Sequence, residues 1–171
     1  MQTELPVWLR LPLALRAVAV ALVATLLLGG CGFRLQGAVP LAADLQQVAL
    51  RAPDLQSDFV LAMRRALIDS GAQLRAGASA QLIIERDDLL ERVASVSARN
   101  VPREYELTYV VRFSLRLGNE TRIDAEQVTL TRDFSFDERI ALAKERERER
   151  LRTTLAQEAA GIVLQRLASQ R

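Results

Sequence analysis

Residues 104–117 read EYELTYVVRFSLRL, and their alternation decides the fold. Tyr105, Leu107, Tyr109, Val111, Phe113, Leu115 and Leu117 fall on one side of an extended chain; Glu104, Glu106, Thr108, Arg112, Ser114 and Arg116 fall on the other, with only Val110 out of place. Successive side chains of a strand point to opposite faces, so this pattern describes a sheet buried on one face and wet on the other. Gly118-Asn119 then marks a tight turn into an antiparallel partner, expected over residues 121–136. In that partner Ile123 and Ala125 keep one phase, whereas Val128, Leu130, Phe134 and Phe136 keep the opposite one. A bulge near Glu126-Gln127 would bring both sets to one face.

Working outward, residues 80–97 read as a further long strand in which Asp87 and Asp88 break the alternation and point to a bulge or bend. Residues 46–51 read as a first strand, with Val48 and Leu50 on one side. Between them Leu55, Phe59, Ala62, Met63, Ala66 and Leu67 recur at three- and four-residue steps, which predicts an amphipathic helix of about four turns. Ser57 or Asp54 can cap its start, and Gly71 sits where a left-handed C-terminal residue belongs. Asp137 is placed to cap a final helix, which carries a charged run at 144–150 and then Leu151, Leu155, Ala159, Ile162, Val163 and Leu167. The expected fold class is α+β: a two-layer sandwich, a four-stranded mostly antiparallel sheet covered by two helices in the order β-α-β-β-β-α. The last three strands form an antiparallel meander. The first strand, joined to the second through a helix, lies parallel to a neighbour.

The N-terminus has a different character. Arg10 and Arg16 precede an uncharged run at 17–28, short for a bilayer span and sized like the core of a signal peptide. The segment Leu28-Gly29-Gly30-Cys31 behind it resembles a lipobox, in which the cysteine becomes the first mature residue and carries acyl chains. A spanning helix begun at Val7 would instead have to include Pro12 and Arg16. The expected organisation is therefore a signal peptide at 1–30, removed; a lipidated tether at 31–45; and one domain at 46–171, of ordinary length.

Composition excludes several classes of function. The chain has 23 basic and 21 acidic residues, a balance far from the cationic excess of proteins that bind the phosphate backbone, so no nucleic-acid partner is expected. It contains no histidine, which removes the Ser-His-Asp and Cys-His arrangements and the commonest metal ligand; no metal site is expected. Carboxylate or Ser-Lys chemistry is formally open, but no spacing points to it, and the chain is read as a non-enzyme. Its single cysteine has no partner for a disulfide. No cofactor is expected beyond acyl chains on Cys31.

Two charge features stand out. The run Lys144-Glu145-Arg146-Glu147-Arg148-Glu149-Arg150 lets Lys144 meet Glu147, or Glu145 meet Arg148, on a helix. It reads either as a solvated helix or as a set of cations for an anionic ligand. The connection at 96–103 puts Arg99 and Arg103 at a hairpin end, where a forked guanidinium suits phosphate or simply keeps the turn soluble. Tyr105 and Tyr109 share the apolar face of their strand and belong to a core or an interface.

These pieces, in their order and spacing, resemble the LPS-assembly lipoprotein family LptE of the Gram-negative outer membrane. The resemblance rests on Gly30-Cys31-Gly32-Phe33-Arg34-Leu35, on Arg99-Asn100 followed closely by Glu104-Tyr105, and on residues 134–144 ending in Ala141-Leu142-Ala143-Lys144. It implies a sandwich that plugs the lumen of the β-barrel protein LptD, helps its assembly, and delivers lipopolysaccharide to the outer leaflet. It also implies lipopolysaccharide contacts at Arg99 and Lys144. Gly32 stands after Cys31 in place of the aspartate associated with inner-membrane retention, so the expected address is the outer membrane, lipid-anchored. The alternative is a free-standing periplasmic lipoprotein that holds an apolar or lipidic ligand between helices and sheet; it requires a large open apolar cavity.

Each buried methylene of an acyl chain contributes about 0.8 kcal/mol, so one chain holds marginally and two or three hold firmly. Mass spectrometry of the mature N-terminus is expected to find acylated Cys31 as its first residue, and Cys31→Ala is expected to remove that acylated species.

Overall fold

The computed structural model describes residues 39–170. The expected signal peptide at 1–30 and the expected lipidation site, Cys31, lie outside them. The described chain folds as β1 (Gln47–Arg51), α1 (Asp58–Asp69), β2 (Gln73–Leu74), β3 (Ala80–Val96), β4 (Pro102–Leu117), β5 (Glu120–Ser135) and α2 (Ala141–Ser169). These form one sheet in the order β2-β1-β3-β4-β5, with both helices on one face. β1 lies parallel to β3 through the α1 crossover, and β3, β4 and β5 are an antiparallel meander, as their patterns predicted.

The alternation of β4 becomes the core. Leu107, Tyr109, Val111, Phe113 and Leu115 are buried against Phe59, Met63 and Leu67 of α1 and Leu155, Ala159, Val163 and Leu167 of α2. The sheet has five strands rather than four. β2 was not anticipated because two residues carry no period to read; its place is set by backbone bonds from Gln73 N to Gln46 O (2.8 Å) and Arg75 N to Val48 O (3.0 Å). Gly71 and Gly77, with φ of +86° and +82°, bracket it and let the chain leave α1 and turn toward β3. The fold also begins earlier than residue 46, since Leu45 is buried and Val39 and Leu41 pack on the core.

Helix α1 has 12 residues, shorter than the four turns expected. Ser57 is its cap: the hydroxyl accepts from Val60 N at 3.2 Å. Leu55, read as part of the apolar face, precedes the helix and is 50 % exposed. Gly71 takes the left-handed position after it, as expected.

The bulges fall close to the expected places but not at them. In β3 the register slips at Glu85, between the pairs Ile84 with Phe113 and Arg86 with Arg112, and again at Ala94. Asp87 and Asp88 themselves stay in the ladder opposite Val111 and Val110. Asp87 can do so because two hydroxyls donate to it: Tyr109 Oη at 2.8 Å and Ser57 Oγ. In β5 the register slips at Asp124-Ala125, opposite Ser114, where Ala125 takes φ +46°, and again at Arg122, rather than at Glu126-Gln127. The bulge at Asp124-Ala125 turns both Ile123 and Val128 inward, though they are of opposite parity.

Phe113 is fully buried at the middle of this face. Phe113→Ala is expected to cost about 3–5 kcal/mol in urea unfolding, the range for removing a core aromatic ring.

Candidate anion-binding site

The hairpin between β3 and β4 is a compact turn. Asn100 N donates to Ser97 O at 2.9 Å, Ser97 N to Val101 O at 2.8 Å, and Val101 N to Ser97 Oγ at 3.1 Å. Asn100 sits at φ +59°, a conformation asparagine tolerates better than most residues. Arg99 is thus carried, exposed, on the penultimate residue of an internally bonded turn. Beside it Phe136 N donates to Arg103 O at 2.7 Å, extending the β4–β5 pairing past the end of β5.

Asp137 then starts the turn Glu138–Ile140 that leads into α2, its carboxylate accepting from Arg139 N at 3.0 Å. The same carboxylate holds the Arg139 guanidinium by two bonds, Nε to Oδ1 at 3.1 Å and Nη2 to Oδ2 at 2.8 Å. Together Ser97, Arg99, Val101, Pro102, Arg103, Phe136, Asp137 and Arg139 line a surface cleft of about 590 Å³. Among the described residues it has three guanidinium groups and one carboxylate. Arg139, through hydrogen bonds first and charge second, pulls the Asp137 carboxyl down to about 2, and Arg103 adds to the pull.

Lys144 lies at the same end of the sheet but does not line this cleft. Its Nζ donates to Ser135 Oγ at 3.1 Å and to Glu147 Oε2 at 2.8 Å, which leaves the side chain 15 % exposed. Ser135 pairs with Glu104 in β4, and Glu104 with Ser95 in β3, two residues before the hairpin turn. Both sequence-derived residues are therefore at one pole, Arg99 on its rim and Lys144 behind its edge strand. The two ion pairs expected in the charged run, Lys144–Glu147 and Glu145–Arg148, are both formed. Arg148 also reaches Glu91 of β3 at 3.0 Å, so the run is partly a brace between helix and sheet.

Arg139 was missed by the sequence reading, and Arg103 was noted only as a hairpin charge. The available signal was Asp137-x-Arg139 directly after a strand, which reads equally as a helix cap. Tyr105 stacks on Phe134 at 5.4 Å and meets Phe136 edge-on at 5.8 Å, so it is core, as expected for its face.

Among the described residues the space between helices and sheet is filled, against the open apolar cavity that the alternative reading requires. Phe59, Met63, Leu67, Leu82, Phe113 and Leu155 fill the space between helices and sheet at full burial. Among the described residues no group of carboxylates or cysteine is arranged to hold a metal ion.

Comparison with known proteins agrees with this architecture. The profile of the family described as LptE, lipopolysaccharide-assembly, matches residues 42–167, essentially the whole described fold. The chain belongs to that family. Among solved structures, rare lipoprotein B from Shewanella oneidensis is 29 % identical, with a TM-score of 0.65 over 72 % of this chain and 94 % of that one. A lipoprotein B from Nitrosomonas europaea shares the fold at 24 % identity, with a TM-score of 0.68 over 81 % of this chain and 91 % of that one. A minor lipoprotein from Acinetobacter baumannii does so at 15 % identity, with a TM-score of 0.63 over 77 % and 96 %. No curated relative matches. LptE membership assigns this chain a part in lipopolysaccharide assembly.

The Asp137 carboxyl is lower in the folded chain than its ordinary value of 3.8, so its bonds to Arg139 contribute fully above that value and are lost only as pH falls through about 2. A carboxyl-carbon NMR titration is expected to show Asp137 still ionised at pH 3.

Proposed function

We propose that this LptE-family chain is an outer-membrane lipoprotein, anchored by acyl chains on Cys31, that occupies the lumen of the LptD β-barrel. There it assists barrel assembly and the delivery of lipopolysaccharide, without catalysing a reaction. The observation that carries the reading is the family match across residues 42–167, which spans both layers of the sandwich.

Physical features support it. A large barrel's lumen is polar, and a plug needs a filled core and a polar exterior. The outer face of β4 carries Glu104, Glu106, Thr108, Arg112 and Arg116, and α2 presents charged residues along its first three turns. Paired charges such as Arg92–Glu106, at 2.6 and 2.8 Å, and Arg112–Glu85, at 3.2 Å, keep that surface hydrophilic with little net field. At the hairpin pole three arginines, Arg99, Arg103 and Arg139, share one cleft. Lipopolysaccharide is dense in phosphate and carboxylate, so contacts by Arg99 and Lys144 are chemically apt. Lys144 would exchange Glu147, an exposed partner, for the incoming anion.

Purification of the full chain from detergent-solubilised outer membrane is expected to bring down a large barrel protein in fixed ratio; recovery of the chain alone, with barrels intact, overturns the partnership. Arg99→Glu and Lys144→Glu each replace a charge-assisted contact, about 1.5–3 kcal/mol, with repulsion. Each is expected to lower lipopolysaccharide affinity by roughly tenfold or more; Arg99→Glu, on an exposed turn, leaves the melting temperature unchanged, whereas Lys144→Glu, set against Glu147, lowers it without unfolding the chain at room temperature.

A further inference from the structure

The arginine cleft holds two residues to which neither the family resemblance nor the reading above gives a role, Arg103 and Arg139. Three separate pieces of chain meet there: the β3–β4 turn brings Arg99, the start of β4 brings Arg103, and the turn before α2 brings Arg139. Like charges are brought together against their mutual repulsion. Among the described residues the only carboxylate lining the cleft is Asp137, against three guanidinium groups.

Arg139 is oriented before any ligand arrives. Of the five N–H donors of a guanidinium, Asp137 takes two, one from Nε and one from Nη2, which leaves three for a second anion. The side chain is nevertheless 88 % exposed, so those donors face no other protein group that would have to be displaced. Arg99 and Arg103 have no carboxylate within ion-pair distance among the described residues. Lys144 differs on each point: two of its three donors are taken, it is largely covered, and it lies outside the cleft.

The remaining lining is Ser97 and one apolar patch. Val101, Pro102 and Phe136 form that patch, and Phe136 is held edge-on to Tyr105. At about 590 Å³ the cleft is within the range of ligand sites and larger than a bare phosphate needs. A set of forked donors beside an apolar wall suits a phosphate monoester borne on a larger, partly apolar body.

We propose that Arg103 and Arg139, together with Arg99, form the seat for a phosphate group of lipopolysaccharide, with Asp137 as the positioning residue that holds Arg139 open. The inference deepens the lipopolysaccharide reading above and rests on it.

The test uses the full chain in detergent and three probes: lipopolysaccharide, the same material treated with phosphatase, and phosphatidylglycerol micelles. The double variant Arg103→Gln/Arg139→Gln is expected to stay folded, with only a small fall in melting temperature from the lost Asp137 pair, and to bind intact lipopolysaccharide at least tenfold more weakly. The unaltered chain is expected to bind phosphatase-treated material about as weakly as the double variant binds the intact form. Arg103→Lys/Arg139→Lys, which keeps charge and loses the fork, should recover only part of the affinity. The seat is overturned if the double variant binds both preparations as the unaltered chain does, or if phosphatidylglycerol displaces lipopolysaccharide at equal phosphate concentration. Failure of the unaltered chain to bind lipopolysaccharide at all would instead bring down the proposed function, and the seat with it.

Discussion

The inner face of β4 is the surface on which everything else is assembled. Five consecutive inward residues, from Leu107 to Leu115, lie under two helices and are almost wholly removed from water. Apolar burial of this kind contributes roughly 25 cal/mol per Å² and has no directional preference of its own. Its effect here is nevertheless specific, because the strand period assigns every second residue to the same side. A slip of one residue would put Glu106, Thr108 and Arg112 beneath the helices, so the register of the central strand is strongly enforced.

The neighbouring strands must deliver their own apolar residues to that face, and they do so by departing from regularity. The bulge at Asp124-Ala125 lets Ile123 and Val128 both point inward, and the bulge at Glu85 keeps Ile84 and Leu82 in the core while β3 continues toward the hairpin. Asp87 ties the two layers. It accepts from Tyr109 on the sheet and from Ser57, which at the same time caps α1. Burial and the bond to Asp87 push the Tyr109 hydroxyl well above its ordinary pKa, so it stays a donor. Ion pairs of α2 add further ties: Arg152 to Asp58 of α1 at 2.6 Å, Glu158 to Arg132 of β5 at 3.0 Å, and Arg166 to Glu126 of β5 at 3.1 Å. Individually such exposed pairs contribute little; their arrangement locates the long helix across the sheet.

The hairpin pole follows from the lengths of these elements. Strands of 16 and 17 residues outrun the 12-residue α1, so the far end of the sheet is covered only by the polar start of α2 and by the cluster of Tyr105, Phe134 and Phe136. Apolar side chains at this end stay open to solvent, Val93, Val96, Ile140 and Leu142 among them, and charged side chains gather beside them at low cost in desolvation. The lipopolysaccharide chemistry proposed for this chain is located where the core ends.

The sequence alone determined the central strand, its inward face, the meander, the parallel crossover and both helices, because strand and helix periods are local properties carried by consecutive residues. It also offered Ser57, beside Asp54, as the cap of α1, placed Asp137 at the entry to α2, where it caps the short turn Glu138–Ile140 and not the helix itself, and paired Lys144 with Glu147, since those contacts span three residues or fewer. Only the tertiary structure decided the rest. The fifth strand has two residues and exists through its backbone bonds to Gln46 and Val48. The exact bulge positions depend on which cross-strand partner can accept the extra residue, as Asp87 shows by staying in register. The meeting of Arg99, Arg103 and Arg139 spans forty positions of chain and depends on two hairpins and a helix cap closing in the right register. No local pattern records such a convergence, because it is set by the burial of residues far from the arginines themselves.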